Sequence, residues 1–212
     1  MPIVALVRHG QASFGAADYD ELSPLGRRQA QVVGEELARR GLREPLLARG
    51  TLRRQRDTLS ALAGAAAFPG EPAVDARWDE YDHEALLLRY GGPERAAAVR
   101  GDSRAFQALL DVALAAWDAD GGWAGFADGA AAALAELADR LPRGRDAVVV
   151  TSGGVLGALA AHLVGAGAAT AVAFNRVAVN AAVTTVIVGS RGASLLTFND
   201  HAFLDGELRT YR

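Results

Sequence analysis

The chain has 212 residues, half of them apolar, and a formal net charge of −3 from 22 basic and 25 acidic side chains. A chain of this size and apolar content can bury a sizeable core in one domain, and its charge gives no general attraction to nucleic acid or anionic membranes. Because the chain has no cysteine, disulfides, thiolate metal sites and thiol nucleophiles are excluded.

The first part of the chain predicts strands that alternate with helices. Ser23, with Pro24 at the first helical position, is expected to cap a helix that ends near Arg40, before Gly41. Thr51 is expected to cap the next helix. In chain order, the predicted elements are a buried strand over residues 3–7, a helix over 24–40, a short strand over 46–48, a helix over 52–67 and a turn at 68–72.

The second part begins with a segment of different composition. Residues 77–125 contain all three tryptophans and two of the four tyrosines, and we interpret them as a helical lid inserted over one edge of the core. The other predicted elements are helices over 103–117 and 128–141, a buried parallel strand over 147–150, and strands within 178–188 and 193–198. We therefore predict that residues 1–212 form one α/β domain, a three-layer sandwich with a mostly parallel central sheet and helices on both faces.

Residues 153–174 form an almost uncharged stretch whose length approaches that of a membrane-spanning helix. The stretch contains five glycines and a histidine, and it lacks aromatic anchors until its end. We interpret it as two short buried helices, with His162 packed in the core. The chain starts directly with a strand and shows no signal peptide, so a cytoplasmic protein is expected.

Arg8-His9-Gly10 is the most informative motif, because it directly follows the first predicted strand. Ligands of open α/β sheets bind at the carboxyl ends of the strands. An arginine at this place offers a fork of donors that fits phosphate or carboxylate, and a histidine can act as nucleophile, base or ligand. Gly10 permits a tight turn and the close approach of a ligand.

Four segments, taken together and in order, resemble the histidine phosphatase superfamily, also called the phosphoglycerate-mutase-like family. They are residues 6–12 (LVRHGQA), 22–30 (LSPLGRRQA), 52–58 (LRRQRDT) and 148–155 (VVVTSGGV). The resemblance extends over nearly the whole chain. It implies an α/β fold and phosphoryl transfer through a histidine, without a metal or other cofactor.

The resemblance also implies roles for individual residues. His9 would attack phosphorus and carry a transient phosphohistidine, while Arg8 and Arg54 would clamp the equatorial oxygens. Arg54 rather than Arg53 matches the family position. The substrate-binding residues implied are Gly10, Gln11, Ser152 and Gly153.

The general acid is expected in residues 77–82 (RWDEYD), which look like the family's acid segment. Glu80 would protonate the leaving oxygen and then activate water, which requires a carboxyl group with a raised pKa. Asp79 and Asp82 are alternatives for this role.

The chain departs from the family pattern at Ser152, where a second histidine is expected before a glycine. Serine offers one neutral hydroxyl, and the loss of such an electrostatic contact typically lowers the rate by about 10² to 10³. The backbone amides of Gly153 and Gly154, at a helix start, can still face an anion. On this interpretation, Ser152→His is expected to raise the activity.

Two other histidines, His83 and His201, are candidates to replace the missing imidazole. A second departure is Gly15, where phosphoglycerate mutases usually have an asparagine that contacts phosphate. This departure weakens the interpretation as a mutase.

The predicted function is therefore hydrolysis of phosphomonoesters through a phosphohistidine on His9. The alternative is a catalytically impaired pseudo-phosphatase that binds a phospho-ligand, and a weaker alternative is a phosphoglycerate-mutase-type phosphotransferase. A nicotinamide-binding role for the glycines near 154–157 is not favoured, because no acidic residue ends the following strand. The expected partner is a small phosphorylated substrate or phosphate, with no nucleic acid and no membrane, and a homodimer is compatible with the sequence.

Overall fold

The computed structural model describes residues 1–13, 20–99 and 101–211. Its described residues form one six-stranded sheet in the order β3-β2-β4-β1-β5-β6. The strands are β1 (Ile3–Arg8), β2 (Leu46–Arg49), β3 (Ala73–Val74), β4 (Ala147–Thr151), β5 (Val183–Gly189) and β6 (Gly192–Asp200). The helices are α1 (Pro24–Arg39), α2 (Arg53–Ala66), α3 (His83–Leu86), α4 (Pro93–Ala98), α5 (Ser103–Ala119), α6 (Gly122–Arg140), α7 (Gly153–Leu163) and α8 (Ala168–Val177), with a π-helical turn (Leu87–Gly91) between α3 and α4.

The sheet is mostly parallel, as predicted. β1 pairs in parallel with β4, and β4 with β2, whereas β5 is antiparallel to both β1 and β6. In the register, Arg8 lies opposite Thr151 and Arg49 lies opposite Val150. The carboxyl ends of these three central strands therefore meet at one edge, where ligands of such sheets bind.

Helices cover both faces of the sheet, which confirms the predicted three-layer fold. Successive side chains of a strand point to opposite faces. Val7 and Val150 belong to a core cluster that includes Leu37 of α1 and Leu59 and Leu62 of α2. On the other face, a second cluster joins Leu6 and Val149 to Leu134 of α6 and to Val155 and Leu159 of α7.

The sequence predicted the N-cap of α1 correctly but not the N-cap of α2. Ser23 caps α1 as predicted, because its hydroxyl accepts a hydrogen bond from Gly26 N at 3.0 Å. The predicted capping role of Thr51 is wrong. The N-cap of α2 is Leu52, without a side-chain cap, and the Thr51 hydroxyl instead donates to the carboxylate of Asp79.

The apolar stretch 153–174 forms α7 and most of α8. Nearly all of α7 is buried, whereas Ala171 is the buried residue of α8, so the prediction of a second buried helix is wrong. The prediction for His162 is wrong as well, because this residue is exposed in the last turn of α7. None of the described helices is long and apolar enough to cross a membrane.

The segment 77–125 is largely helical, and its aromatic residues pack against one another. The ring centroids of Tyr81 and Phe126 are 5.7 Å apart, and those of Trp117 and Trp123 are also 5.7 Å apart. These rings belong to a third buried cluster with residues of α5 and α7. The division of the chain into one domain with a lid insertion stays a prediction.

Candidate active site

His9 lies directly after β1 at the edge where the central strands end, and 5% of it is exposed. Its Nδ1 lies 2.8 Å from the carbonyl oxygen of Gly10, and its Nε2 lies 3.2 Å from Nε of Arg54, which donates to it. Because a carbonyl only accepts hydrogen bonds, Nδ1 carries the proton. Nε2 therefore carries no proton and accepts the hydrogen bond from Arg54 with its lone pair, the electron pair that a nucleophile uses.

The environment of His9 keeps its imidazole neutral. Burial lowers its pKa well below 6.5, and the positive charges of Arg54 and Arg8 lower the pKa further, against a raising effect of the Gly10 carbonyl. A neutral imidazole retains the lone pair that nucleophilic attack needs. The two arginines thus favour the reactive form of His9.

Arg8 and Arg54 are both held in place by contacts outside the imidazole. Nη1 of Arg8 donates to the carbonyl oxygens of Ala178 and Tyr211, the latter at 3.0 Å. Arg54 is 8% exposed, and its Nη1 donates to Oδ1 of Asp20 at 2.6 Å. The structure therefore brings Arg54 into contact with the predicted nucleophile, and it anchors Arg8 to carbonyl oxygens of distant segments.

Asp20 is a site residue that the sequence analysis missed. Its carboxylate also accepts hydrogen bonds from the backbone amides of Arg53, at 2.7 Å, and Arg54, at 3.4 Å. It thereby supplies the N-terminus of α2 with a negatively charged capping group, which stabilises a helix start. In the sequence it is one acid of a polar loop, and no local pattern connects it to Arg54.

Glu80 is the one of the three candidate acids that reaches the end of β4. Both of its carboxylate oxygens lie 3.1 Å from the amide nitrogen of Gly154, which donates to them. Asp79 accepts from Thr51 N at 2.6 Å, and Asp82 caps α3 by accepting from Ala85 N at 2.9 Å. These contacts give both aspartates structural partners in the segments next to them, at Thr51 and at the start of α3.

The pKa of Glu80 is raised above its ordinary value. Burial raises it, and the hydrogen bond from Gly154 and the charges of Arg54 and Arg8 offset part of this effect. A carboxyl group that retains its proton at a higher pH is suited to donate it to a leaving group.

Ser152 does not present its hydroxyl at the surface of the site. The residue is fully buried, and its Oγ accepts a hydrogen bond from Nε2 of Gln55 at 3.0 Å. The amide of the nearby Gly154 is engaged by Glu80. At Gly153, a Cβ atom would lie 2.3 Å from Oδ1 of Asn175, so a larger residue there would require the Asn175 side chain to move.

Gly10 and Gln11, two of the predicted substrate-binding residues, make close contacts within the protein. Gly10 N donates to the Thr58 hydroxyl at 3.0 Å, and a Cβ atom at Gly10 would lie 2.3 Å from the carbonyl oxygen of Gly26. Gln11 accepts from the Ser23 hydroxyl at 2.9 Å through its Oε1. Gly10 therefore allows the strand end to lie directly against the start of α1.

His83 and His201, the two candidates to replace the missing imidazole, lie in different parts of the fold. His83 is half-buried in α3 against Phe106, with ring centroids 5.8 Å apart. Burial lowers its pKa, and the charges of Glu84 and Asp82 offset part of this effect. His201 contacts the carbonyl oxygen of Asn199. Gly15 lies outside the described residues.

Two asparagines near the site were also missed by the sequence analysis. Nδ2 of Asn175 donates to the Tyr81 hydroxyl at 3.0 Å, and Nδ2 of Asn180 donates to the backbone oxygen of His9 at 3.3 Å. Asn180 is fully buried. Polar residues inside or next to the apolar stretches 153–174 and 178–188 were the available signal.

The described residues contain no group of three or more histidine, aspartate or glutamate side chains placed to hold a metal ion. The arrangement consists instead of a neutral imidazole, two guanidinium groups and a carboxyl group with a raised pKa. Such a set can transfer a phosphoryl group to nitrogen and protonate the oxygen that leaves.

The chain belongs to the histidine phosphatase superfamily (branch 1), whose sequence model matches residues 4–201. A comparison with curated proteins gives no significant match.

Solved structures with the same fold include the protein YhfR of Bacillus stearothermophilus, which is 19% identical with a TM-score of 0.69, over 97% of this chain and 100% of that one. A mycobacterial glucosyl-3-phosphoglycerate phosphatase in complex with VO3 is 23% identical with a TM-score of 0.65, over 95% and 100% of the two chains. A mutant phosphoserine phosphatase of Entamoeba histolytica in complex with phosphoserine is 18% identical with a TM-score of 0.62, over 96% and 100%. At these identities the comparisons show a shared fold.

Proposed function

We propose that the protein hydrolyses phosphomonoesters through a phosphohistidine on His9. The observation that carries this proposal is the state of the imidazole, whose Nε2 lone pair is directed toward Arg54 while Nδ1 is held by the Gly10 carbonyl. Membership of the superfamily supports it, as do structural neighbours that are described as phosphatases.

In the first step, Nε2 of His9 attacks phosphorus and the bond between phosphorus and the ester oxygen breaks. Glu80 in its protonated form gives its proton to the departing oxygen, so the product leaves as an alcohol. The raised pKa of Glu80 supports this role. The phosphoryl group is then bonded to Nε2.

In the second step, water attacks the phosphorus of the phosphohistidine. Glu80, which is now a carboxylate, accepts a proton from this water. The bond between nitrogen and phosphorus breaks, inorganic phosphate leaves and the lone pair returns to His9. Arg8 and Arg54 stabilise the charge on the three equatorial oxygens in both steps, because positive donors act most strongly where charge is spread in the transition state.

A second candidate function is binding of a phospho-ligand without turnover. The observation that favours it is the serine at position 152. Its buried hydroxyl is hydrogen-bonded to Gln55, so this position offers no charged group to the phosphoryl oxygens. A mutase-type phosphotransferase is a weaker candidate, since it needs a bisphosphate cofactor. A cytoplasmic location, a homodimer and a small phosphorylated partner stay predictions.

The test compares wild-type protein with His9→Ala in the release of inorganic phosphate from p-nitrophenyl phosphate and a panel of alkyl phosphomonoesters. Arg56→Ala is the matched control, because Arg56 is an exposed cation on the same helix as Arg54. Turnover in wild type and Arg56→Ala that is lost in His9→Ala supports hydrolysis. Saturable phosphate binding by a wild-type protein that releases no phosphate and forms no acid-labile phosphoenzyme favours the binding function.

A further inference from the structure

Gln55 is a fully buried polar residue next to Arg54 that the proposed mechanism does not use. Its amide nitrogen donates two hydrogen bonds, one to the carbonyl oxygen of Trp78 at 2.8 Å and one to Oγ of Ser152 at 3.0 Å. Its Oε1 is buried and has no hydrogen-bond partner among the described residues. A buried primary amide with an unmatched acceptor disfavours folding relative to an apolar side chain of the same size, so its presence calls for another explanation.

The two acceptors of Gln55 belong to the two segments that meet where Glu80 contacts Gly154. Trp78 is two residues before Glu80, and its carbonyl oxygen accepts a second hydrogen bond from the Thr151 hydroxyl at 2.6 Å. The peptide that leads into Glu80 is therefore fixed from α2 and from β4 together.

The second acceptor, Ser152, is the N-cap of α7, two residues before Gly154. The amide of Gly154 holds both carboxylate oxygens of Glu80. Gln55 thus connects the segment that carries Glu80 with the helix start that binds its carboxylate. A side chain that fixes both partners of a contact limits where the carboxyl group can move.

We propose that Gln55 is a positioning residue for Glu80, which holds the carboxyl group on Gly154 through hydrogen bonds to Trp78 and Ser152. This inference rests on the proposed function, since it assigns Gln55 to the proton-transfer step. It predicts that loss of the amide impairs reactions that need a proton on the leaving oxygen more than reactions that do not.

The first test compares two esters in Gln55→Met, which keeps the length of the side chain and removes its hydrogen bonds. An alkyl ester such as glycerol 2-phosphate needs protonation of its leaving oxygen, whereas p-nitrophenolate leaves readily without a proton. Gln55→Met should lower kcat/KM for the alkyl ester by about 10- to 100-fold and for p-nitrophenyl phosphate by less than about threefold.

The control is Leu59→Ala, which opens space in the core on the same helix. It should lower Tm and leave the ratio of the two kcat/KM values unchanged. Equal losses on both esters in Gln55→Met, or a Leu59→Ala ratio that changes to the same extent, would overturn the proposal.

The second test does not depend on turnover. The Gly154 amide donates to Glu80, so its proton resonance should report the ionisation of that carboxyl group during a pH titration. The midpoint should shift in Gln55→Met, shift in the same direction in Ser152→Ala, and stay unchanged in Leu59→Ala. An unchanged midpoint in both Gln55→Met and Ser152→Ala rejects the role of Gln55. A wild type that hydrolyses neither ester rejects the proposed function, while the titration still decides whether Gln55 positions Glu80.

Discussion

Nε of Arg54 donates a hydrogen bond to Nε2 of His9 across 3.2 Å, so a cation covers the lone pair that would attack phosphorus. A phosphoryl oxygen is a stronger acceptor for a guanidinium than a neutral imidazole nitrogen is. Entry of a phosphate ester should therefore draw Arg54 onto the phosphoryl group and release Nε2 for attack. In the free protein the same contact orients the ring and keeps it neutral.

The pH dependence of kcat/KM should be bell-shaped. Burial and two arginines lower the pKa of His9, so its protonation should reduce activity only well below pH 6.5. Burial raises the pKa of Glu80, so loss of its proton should reduce activity at pH values above the ordinary range of a glutamate. Assays with an alkyl phosphomonoester across the pH range measure both limbs.

Glu80→Gln tests the assignment of the alkaline limb. Glutamine cannot ionise, so activity should be low and should no longer fall with rising pH. Asp82→Asn is the control, because that carboxylate caps α3. An alkaline limb that persists in Glu80→Gln, or disappears in Asp82→Asn, would assign the proton to a different group.

The contribution of His9 to the stability of the protein should fall as the pH drops below about 6.5. Because the His9 pKa is lower in the folded protein than in the unfolded chain, the unfolded chain binds more protons between the two values. Over that window His9 should lower the free energy of unfolding by about 1.4 kcal/mol for each pH unit that the pH falls. The raised pKa of Glu80 acts with the opposite sign, so the contribution of His9 is taken as the difference between wild type and His9→Ala.

Urea unfolding of wild type and His9→Ala at several pH values measures this contribution. His83 has a lowered pKa as well and contributes with the same sign, so His83→Ala is measured in parallel. A pH dependence of stability that is identical in wild type and His9→Ala would show that the folded protein does not disfavour protonation of His9.

Asp20→Ala should reduce kcat/KM, because it removes the acceptor of Arg54 Nη1 and two acceptor contacts at the start of α2. Misplacement of a positioned group typically lowers the rate by up to about 100-fold, and we expect a loss of about 10- to 100-fold. Asp20→Asn retains an acceptor oxygen and should lose less.

Asp75→Asn is the matched control for Asp20. Asp75 forms an ion pair with Arg77 at 2.6 Å, the same distance as the pair between Asp20 and Arg54. Its substitution should leave steady-state activity unchanged. A loss in Asp75→Asn equal to that in Asp20→Asn would point to a general effect of charge rather than to placement of Arg54.

Ser152→His should lower activity when introduced alone, in contrast to the expectation from the sequence. Ser152 is fully buried and its Oγ is 3.0 Å from Nε2 of Gln55, so an imidazole there would displace the Gln55 side chain. Overpacking of this kind destabilises a protein by about 1 to 3 kcal/mol. Thermal unfolding and phosphate release by Ser152→His, with Ser152→Ala as the control, measure both effects. Higher turnover in Ser152→His would show that the site can accommodate the imidazole.

Local patterns in the sequence predicted the fold class, and the resemblance to the family predicted the candidate site residues. The apolar runs before His9 and Ser152 predicted the parallel strands β1 and β4, and the capping residue Ser23 predicted the start of α1. These features were predictable because buried strands and helix ends depend on residues that are neighbours in the chain. The resemblance to the family, which places the arginine between Leu52 and Thr58, likewise selected Arg54 as the arginine that contacts His9.

Contacts between distant segments were decided by the tertiary structure. Asp20, Asp79 and Gln55 are bonded to residues at least 23 positions away, and no periodicity or motif connects them. The exposure of His162 could not be predicted either. Because α7 is apolar on nearly all sides, its sequence does not indicate which of its turns is exposed to solvent. The sequence by itself therefore predicted which groups are candidates for the proposed phosphoryl transfer. The packing of α2 and the Glu80 segment against the end of β4 decided how those groups are oriented and protonated, since both properties depend on distance and burial.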